Sequence, residues 1–476
     1  MTSWPSSMDE AVSVHDVSFS YRSWTTTPAQ PVLSHLSLSV KRGEKVLVLA
    51  PFDAGKSTFA RILAGLCPKY LSGTLTGTLS LDGCDLSHTE PWDLVEHVGY
   101  VSQNPQEQYI AQTVEDELAF PLESLGVGKQ EMHQRVAEAL AQWGLSSYAT
   151  VSEARLSGGE RKRVLLALTT MLDPAVWVLD ESFDDLDVQW RDYLAQRIRK
   201  TDRTVVVLSS RYLSQFDGLF DHFSVLEHGA LVDGPRNEAR ARFSHLCGDD
   251  RLCRLDPLPV TGNVHRLEAT DVRFSQTREG QEFSLTVPSF SLASGEIVTL
   301  TGPNGSGKST FARLCCGLDS ATSGVFRFDG DTVDTSERNR LVGYLFQNPD
   351  LQIFLPTVRD ELSWSLLRDR RIPKDTVEEK VGSAAELFGL SLDATPSTMS
   401  YPRRKRLQAA VYYLLDRPLC ILDELDNALT YQMAQEIVRL LSQNGCGMVV
   451  ITHDDAFARL VADRGYVVRG GRMEKA

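Results

Sequence analysis

GPNGSGKST, at residues 302–310, follows the apolar run IVTLT and opens into a segment with helical spacing. It matches the pattern G-x-x-x-x-G-K-[ST] in the strand-then-helix setting that gives this pattern its meaning. The glycines let backbone N–H groups approach a phosphate closely, and the amino terminus of the helix adds a positive dipole. A glycine turn before an ordinary helix is the alternative interpretation. We interpret the segment as a phosphate-binding loop.

Two side chains of this loop have predicted roles in phosphate chemistry. Lys308 should reach the outer phosphates of a nucleotide, and Ser309 should bind Mg²⁺. The loop residues that we predict to contact the nucleotide are Gly302, Asn304, Gly305, Gly307, Lys308, Ser309 and Thr310.

A further element of this chemistry is an apolar run that ends in LDE at residues 422–424. A buried strand with this sequence would deliver Asp423 to the same edge of the sheet, where a carboxylate can hold the Mg²⁺ shell. Glu424 follows one residue later and is aimed differently. Because a carboxylate beside the terminal phosphate can orient or deprotonate water, Glu424 is predicted to be catalytic.

The chain contains the same unit twice, in the same order and with similar spacing. Paired segments are GKSTFAR at 55–61 and 307–313, GY-x-x-QNP at 99–105 and 343–349, and LDE at 179–181 and 422–424. The long period excludes a solenoid repeat. Each copy alternates short apolar strands with longer helical patterns, which is typical of α/β layering around a largely parallel sheet.

The repeat predicts two tandem domains, at residues 1–242 and 267–476, joined by a linker at 243–266. Prolines, a glycine and the polar run DDR interrupt the periodicity within the linker. Because the linker is short, we expect the two halves to be held close together.

Composition bounds the possible functions. The chain has 476 residues, with 49 Lys and Arg against 63 Asp and Glu and a net charge of −14. Its 42% apolar content excludes a disordered chain. A uniform basic face for duplex DNA is not expected at this charge, so we predict no nucleic-acid partner.

Targeting and metal signals are also weak. No basic segment followed by an apolar stretch opens the chain, and its apolar runs are far shorter than the roughly 20 residues that span a bilayer. We therefore expect neither secretion nor a membrane-spanning segment. The eight cysteines form no pair of C-x-x-C knuckles, so neither a zinc site nor a disulfide framework is indicated.

LSGGE at residues 156–160, followed by RKR, completes a set of motifs together with Gln103, Gln347 and His453. In this order and spacing they resemble the nucleotide-binding domains of ABC-type ATPases, over nearly the whole chain and twice over. The resemblance implies two tandem P-loop NTPase domains. Each would have a mainly parallel sheet core, an antiparallel β part and a helical subdomain that carries the signature motif. It also implies ATPase activity with ATP and Mg²⁺ as cofactors.

The resemblance assigns roles to individual residues. Gln347 and His453 join Glu424 as catalytic residues of the second half. Further nucleotide contacts are implied for the signature residues Ser157, Gly158, Gly159 and Glu160, for Gly55, Lys56, Ser57 and Thr58 of the first P-loop, and for Tyr21 against adenine. The implied Mg²⁺ ligands are Ser309, Gln347 and Asp423 in one site and Ser57, Gln103 and Asp180 in the other.

In this family each ATP is implied to lie between the P-loop of one domain and the signature of the other. The first P-loop has lost two glycines, to Ala50 and Asp53, and its switch position holds Ser210 in place of histidine. The signature of the second half reads MSYPR at 399–403, so a tyrosine and a proline replace both glycines. These losses all fall on one composite site.

We infer one hydrolytic site and one degenerate site, with the two halves paired as a pseudo-heterodimer. The degenerate site contains Gln103, Asp180, Glu181 and Ser210. Because Glu181 still follows Asp180, weak ATP hydrolysis at the degenerate site remains an alternative. In the second half, Gln276 occupies the place of the adenine-stacking aromatic, so Phe274 is the alternative stacking residue.

The motif QNP-x-x-Q followed by TV-x-DEL resembles the corresponding motif in the ATPase components of energy-coupling-factor (ECF) importers. These importers take up vitamins or transition-metal ions. This resemblance implies a membrane-embedded coupling subunit and a substrate-capture subunit as partners, and a peripheral location on the cytoplasmic face of the membrane. Alternatives are another importer ATPase, for instance for sugars, and a soluble twin-cassette ATPase that acts on ribosomes or DNA. The residues do not reveal the transported substrate.

Overall fold

A computed structural model of the chain describes residues 9–22, 31–247, 252, 254–255, 264–278, 281–303, 305–368, 373–427, 429–462 and 464–476. The chain divides into two compact units, Met1–Cys247 and Gly248–Ala476. This division lies within the predicted linker, much of which is outside the described residues. The exact domain bounds given above stay a prediction.

The first unit contains ten described strands and six described α-helices. The strands are β1 (Glu10–Tyr21), β2 (Leu33–Lys41), β3 (Lys45–Leu49), β4 (Gly73–Leu81), β5 (Cys84–Asp85), β6 (Val98–Val101), β7 (Val176–Asp180), β8 (Thr204–Ser209), β9 (His222–Glu227) and β10 (Ala230–Asp233). The helices are α1 (Lys56–Leu63), α2 (Val114–Ser124), α3 (Lys129–Gln142), α4 (Gly158–Leu172), α5 (Val188–Lys200) and α6 (Arg236–Cys247).

Two sheets form the framework of the first unit. One has the order β2-β1-β4-β5 and is antiparallel, and the other has the order β10-β9-β3-β8-β7-β6. In the second sheet β6, β7, β8, β3 and β9 run parallel to their neighbours, and only β10 is antiparallel. Helices α2, α3 and α4 lie in the chain between β6 and β7 and form a helical insertion.

The parallel strands are buried on both faces, which explains their continuous apolar sequences. In β3, Val46 and Val48 pack into the core shared with the antiparallel strands, whereas Leu47 and Leu49 pack into the core under the helices. This alternation follows from the two-residue period of a strand. Both cores therefore hold the carboxyl ends of these strands in place.

The second unit repeats this plan. Its strands are β11 (Arg266–Arg278), β12 (Gln281–Ala293), β13 (Ile297–Thr301), β14 (Ser323–Phe328), β15 (Asp331–Thr332), β16 (Val342–Leu345), β17 (Leu419–Asp423), β18 (Gly447–Ile451), β19 (Arg464–Arg469) and β20 (Arg472–Lys475). Its helices are α7 (Lys308–Cys315), α8 (Thr335–Leu341), α9 (Val358–Arg368), α10 (Lys374–Leu387), α11 (Tyr401–Leu415), α12 (Tyr431–Ser442) and α13 (Asp455–Val461).

Its strands form one sheet in the order β15-β14-β11-β12-β20-β19-β13-β18-β17-β16. A single parallel bridge between Thr286 and Arg472 joins the antiparallel part to the parallel part. The prediction of two α/β units, each with a mainly parallel core, an antiparallel part and a helical insertion, is confirmed. In open sheets of this kind, ligands bind beyond the carboxyl ends of the parallel strands.

Candidate functional site

The P-loop of the second unit connects β13 to α7. Its lysine, Lys308, is buried and folds back over the loop, donating from Nζ to the carbonyl oxygens of Gly302 at 2.8 Å and Pro303 at 3.0 Å. The peptide N–H groups at the start of α7 and this ammonium group form a positively charged end to the helix. Asn304, which we predicted to contact nucleotide, lies outside the described residues.

Gly302 has a backbone that requires glycine. Its φ is 141°, and a Cβ atom there would lie 2.3 Å from the carbonyl oxygen of Val468 on the neighbouring β19. In the first unit the equivalent residue is Ala50. The residue of the first unit that is equivalent to Gly305 is Asp53. Both residues have a left-handed backbone, with φ of 61° at Asp53 and 72° at Gly305. The first P-loop thus keeps part of the loop conformation without the glycines.

Substituting alanine for Gly302 should therefore displace the P-loop. We expect the G302A variant to lose about 1–3 kcal/mol of unfolding free energy and to bind ATP more weakly. Urea unfolding and titration with a fluorescent ATP analogue measure the two effects. The matched control is G382A in α10, where an added Cβ meets open space and helix propensity favours alanine. Equal changes in both variants would contradict this interpretation.

The catalytic carboxylate predicted for the second unit lies among three polar side chains at the carboxyl edge of the sheet. Gln347, just after β16, donates from Nε2 to Oε2 of Glu424 at 2.5 Å. His453, just after β18, donates from Nε2 to Oε1 of Glu424 at 2.8 Å. Asp423, at the end of β17, accepts a hydrogen bond from the Tyr344 hydroxyl at 2.6 Å. The second unit brings its predicted catalytic residues together.

The two adjacent carboxylates of this unit have opposite pKa shifts. Burial, then the charge of Glu424, raises the pKa of Asp423 above its ordinary value. Burial alone would also raise the pKa of Glu424, but the hydrogen bond and charge of His453, with Lys308 and Lys405, outweigh it and hold that pKa low. Glu424 is therefore an ionised carboxylate that can orient or deprotonate water.

The equivalent carboxylate of the first unit has different neighbours. Oε1 of Glu181 lies 3.4 Å from Nζ of Lys56, and both side chains are buried. Oε2 of Glu181 accepts a hydrogen bond from the backbone N–H of Ser210 at 3.0 Å. Lys56 also donates to the carbonyl oxygens of Ala50 and Pro51 at 3.0 and 2.9 Å. Glu181 is thus held against the P-loop lysine of its own unit.

The pKa values of the two equivalent carboxylates, Glu181 and Glu424, are shifted in opposite directions. Burial raises the pKa of Glu181 to about 7, with Asp184 and Asp180 adding to the increase and Lys56 opposing it. Burial also raises the pKa of Asp180, against the opposing effects of the nearby Ser57 hydroxyl and the charge of Lys56. Ser210 occupies the equivalent of His453 in this unit and contacts Glu181 through its backbone N–H in place of an imidazole. At neutral pH a smaller fraction of Glu181 than of Glu424 is therefore ionised.

The signature segment of the first unit forms the amino-terminal cap of α4. The Ser157 hydroxyl accepts from the N–H of Glu160 at 3.3 Å, and the Glu160 carboxylate accepts from the N–H of Ser157 at 2.7 Å. This reciprocal capping box explains the helix start. Gly158 and Gly159 form the first turn of the helix. The signature glycines are thereby placed at a helix amino terminus, the kind of position that binds phosphate.

The aromatic residues predicted to contact adenine lie on the antiparallel strands. The hydroxyl of Tyr21, on β1, hydrogen-bonds the hydroxyl of Thr58 at 3.0 Å, and its ring packs edge-on against Phe19. In the second unit Phe274, on β11, packs against Phe283. A stacking role for Tyr21 or Phe274 stays a prediction.

Sequence reasoning missed two buried lysines. Lys162 is fully buried and donates to the carbonyl oxygens of Ser102 and Gln103, both at 2.9 Å. Lys405 is also fully buried, donates to the carbonyl oxygen of Phe346 at 2.8 Å, and has its pKa lowered by burial to about 8. Each lysine fixes the loop that carries the glutamine of its unit. Their repetition at equivalent positions of the two halves was the signal that could have identified them.

The predicted Mg²⁺ ligands consist of hydroxyl, carboxylate and amide oxygens. Ser309 lies close to Asp423, and Ser57 lies close to Asp180 in the equivalent place. In the described part of the chain no group of three or more His, Cys, Asp or Glu side chains could hold a metal ion without further ligands. This set fits Mg²⁺, which is usually bound by one or two carboxylates together with substrate phosphates.

Solved structures with the same tandem architecture share the fold over the whole chain. One described as "RNase-L Inhibitor" is 21% identical, with a TM-score of 0.61, and the match covers 96% of this chain and 90% of that one. One described as "Model of ribosome-bound archaeal Pelota and ABCE1" is 20% identical, with a TM-score of 0.66, over 99% of this chain and 79% of that one. At these identities the likeness concerns the fold alone.

Sequence relatives point to a family. A protein from Treponema denticola described as "Putative ABC transporter ATP-binding protein" is 29% identical over 98% of this chain and 96% of its own length. A protein from Methanosarcina acetivorans with the same description is 29% identical over 93% of this chain and 82% of its own length. The profile of the family described as "ABC transporter" matches residues 33–184 and 285–427. This chain therefore belongs to the ABC transporter family and is an ATPase with two ATP-binding cassettes.

Proposed function

We propose that this chain is the energy-coupling ATPase of an ECF-type importer and that its second cassette hydrolyses the ATP that drives transport. The observation that carries the catalytic part is the ionised Glu424 carboxylate, held by Gln347 on one oxygen and by His453 on the other. A carboxylate held in this way is prepared to orient the attacking water. A proton shared through the histidine would link it to the terminal phosphate.

The first cassette is proposed to bind nucleotide mainly for structure or to hydrolyse it slowly. Its carboxylate, Glu181, is paired with the lysine that phosphate needs, and the pKa of Glu181 is raised to about 7 by burial. Ser210 offers no imidazole. A loop with Ala50 and Asp53 also presents a Cβ and a carboxylate where the second cassette has glycines.

We further propose that the cassettes pair within the chain, as the family resemblance implies. ATP on the second P-loop would then meet the intact signature of the first half, with residues Ser157, Gly158, Gly159 and Glu160. ATP on the first P-loop would meet the altered segment MSYPR at 399–403. Closure on ATP and release after hydrolysis would provide the mechanical step.

Mg²⁺ is proposed as the metal cofactor of both cassettes. The second site would hold it with Ser309, Gln347 and Asp423, and the first site with Ser57, Gln103 and Asp180. When bound, the ion neutralises charge on the phosphate oxygens.

The residues that follow each predicted catalytic or metal-binding glutamine support the proposal of a membrane partner. Ile110 and Phe354 are 71% and 75% exposed, the two highest values among the large apolar side chains of the described residues. Their backbone N–H groups are held by buried carboxylates: Glu117 accepts from Ile110 at 2.9 Å, and Glu361 accepts from Phe354 at 3.0 Å. Both units therefore hold an apolar side chain outward in the same way.

The neighbours of these two residues behave differently. Tyr109 and Ile353 are half-buried and pack on the helical cores, so they serve the fold. In the part of the chain that the structure describes, no helix combines the length and the apolar character needed to cross a bilayer. We propose that Ile110 and Phe354 dock to a membrane-embedded coupling subunit and that the ATPase lies on the cytoplasmic face of the membrane. A separate capture subunit would bind the vitamin or metal ion.

Aspartate at both exposed positions should detach the protein from its membrane partner. We expect the I110D/F354D variant, expressed in the native host, to be recovered from the washed membrane fraction at least about tenfold less than wild type, because two apolar contacts are replaced by charges. Its unfolding midpoint should not change, because both side chains are exposed. The matched control is W92D, which alters another exposed residue, at 65% exposure.

Mass spectrometry of the intact complex would identify the small membrane protein and hence the substrate class. Unchanged membrane recovery of the double variant would contradict the docking surface. Recovery of the wild-type chain with ribosomes in place of membranes would contradict the importer assignment and favour the ribosome-associated alternative.

A further inference from the structure

The altered signature of the second unit makes a contact that the intact signature does not. Tyr401 stands where the first unit has Gly158. Its hydroxyl donates to the carbonyl oxygen of Gln347 at 2.7 Å. The side chain of the same glutamine donates to Glu424 at 2.5 Å. Two hydrogen bonds thus connect Tyr401, at the start of α11, to the carboxylate that we propose to be catalytic.

Comparison of the two units shows what this contact replaces. In the first unit a single lysine, Lys162, donates to two successive carbonyl oxygens of the loop, those of Ser102 and Gln103. In the second unit the equivalent lysine, Lys405, donates to the first of these carbonyls, that of Phe346. The second carbonyl, that of Gln347, receives the tyrosine hydroxyl.

The tyrosine is also well placed to hold the loop. Its ring centre lies 5.9 Å from Nζ of Lys405, so the buried ammonium group faces the aromatic ring. A tyrosine loses little conformational freedom when it makes such a contact, because it has only two side-chain torsions. Gln408 of α11 also donates to the carbonyl oxygen of Phe346, at 3.2 Å. The loop carbonyls of the second unit are therefore held by Tyr401, Lys405 and Gln408 of α11, whereas Lys162 of α4 holds both carbonyls in the first unit.

We propose that Tyr401 is a positioning residue for ATP hydrolysis in the second cassette. Its hydroxyl fixes the backbone of Gln347 so that the glutamine side chain stays on Glu424. The inference rests on the proposed function, because it takes Glu424 as the catalytic carboxylate. The altered signature has therefore lost the glycines that would face nucleotide, and its tyrosine has a role inside its own cassette.

The test removes the hydroxyl and keeps the ring. In Y401F, kcat for ATP should fall about three- to tenfold, the size expected for one lost hydrogen bond. KM for ATP should stay within twofold and the unfolding midpoint within error, because the change removes one hydroxyl, which bonds the Gln347 backbone, and leaves both P-loop sequences unchanged. The matched control is Y413F on the same helix, where the ring packs on Phe388. An unchanged kcat in Y401F would overturn the inference.

A double-mutant cycle separates positioning from a general structural role. If Tyr401 acts through the side chain of Gln347, Y401F should lower kcat by less than twofold in a Q347A background. The same several-fold loss in both backgrounds would overturn the inference. Turnover that persists in E424Q would overturn the proposed function and this inference with it. Loss of turnover in E424Q together with an unchanged kcat in Y401F overturns this inference alone.

Discussion

Glutamine in place of Glu424 should reduce steady-state ATP turnover by at least about 100-fold, the range in which removal of a positioned general base or water-orienting group falls. The substitution keeps the size of the side chain and removes its negative charge. Since His453 and Gln347 hold the wild-type carboxylate at 2.8 and 2.5 Å, little rearrangement is needed to retain the fold. ATP binding should persist, because Lys308 and the P-loop are unchanged.

The matched control is the same substitution in the first cassette. E181Q should leave more than about half of the wild-type turnover, because Glu181 faces Lys56 and its pKa is raised to about 7. Phosphate release at saturating ATP measures turnover, and equilibrium binding of a fluorescent ATP analogue confirms that both variants still load nucleotide. Equal losses in E424Q and E181Q would refute the assignment of one hydrolytic and one degenerate cassette.

Alanine in place of His453 should lower turnover by about 10- to 100-fold. The imidazole makes the 2.8 Å hydrogen bond to Oε1 of Glu424 and lowers the pKa of that carboxyl against the effect of burial. Without it, burial raises the pKa of Glu424 and one of its oxygens loses its partner. A smaller fraction of Glu424 would then be ionised at neutral pH, and its side chain would be held less firmly. Single-turnover phosphate release separates this loss from slow product release.

The reciprocal substitution tests whether the switch position alone limits the first cassette. S210H should not double turnover, because Glu181 would still be paired with Lys56 and the P-loop would still carry Ala50 and Asp53. The matched control is H453S, which places the residue of the first cassette in the second and should be as damaging as H453A. A doubled rate in S210H would show that the other departures of the first cassette are unimportant.

Much of the fold was predictable because local rules and tertiary structure agree here. The strand, glycine loop and lysine around residues 302–310 have one common structural solution, and β13 and α7 adopt it. The buried parallel strands have continuous apolar sequences, so their positions were evident before their order in the sheet was known. The internal repeat then extended the same interpretation to the other half.

The partners of individual side chains were not predictable in the same way. Glu181 and Glu424 stand at equivalent positions of two LDE motifs, yet one contacts a lysine and the other a glutamine and a histidine. The buried lysines Lys162 and Lys405 read as ordinary charges on a helix. Motif spacing places a residue on an element but does not determine which neighbour its terminal atoms reach.

The apolar residues after the two glutamines illustrate the same limit. Tyr109 and Ile110 are adjacent in sequence, and either could have served the core or a docking surface. The structure buries part of the first and exposes the second. The cause is the carboxylate of Glu117, which bonds two successive N–H groups, those of Ile110 and Ala111, and so sets the direction of the chain there.

The amino-acid sequence by itself determined two α/β cassettes, the phosphate loops and the family, because these depend on local periodicity and on motifs whose residues are neighbours along the chain. Only the tertiary structure decided that Tyr401 reaches Gln347. It also decided that Glu424 is hydrogen-bonded by a glutamine and a histidine, whereas the equivalent Glu181 is paired with a lysine. Those contacts join residues far apart in sequence. They depend on how strands β16, β17 and β18 and helix α11 pack, to within about one hydrogen-bond length.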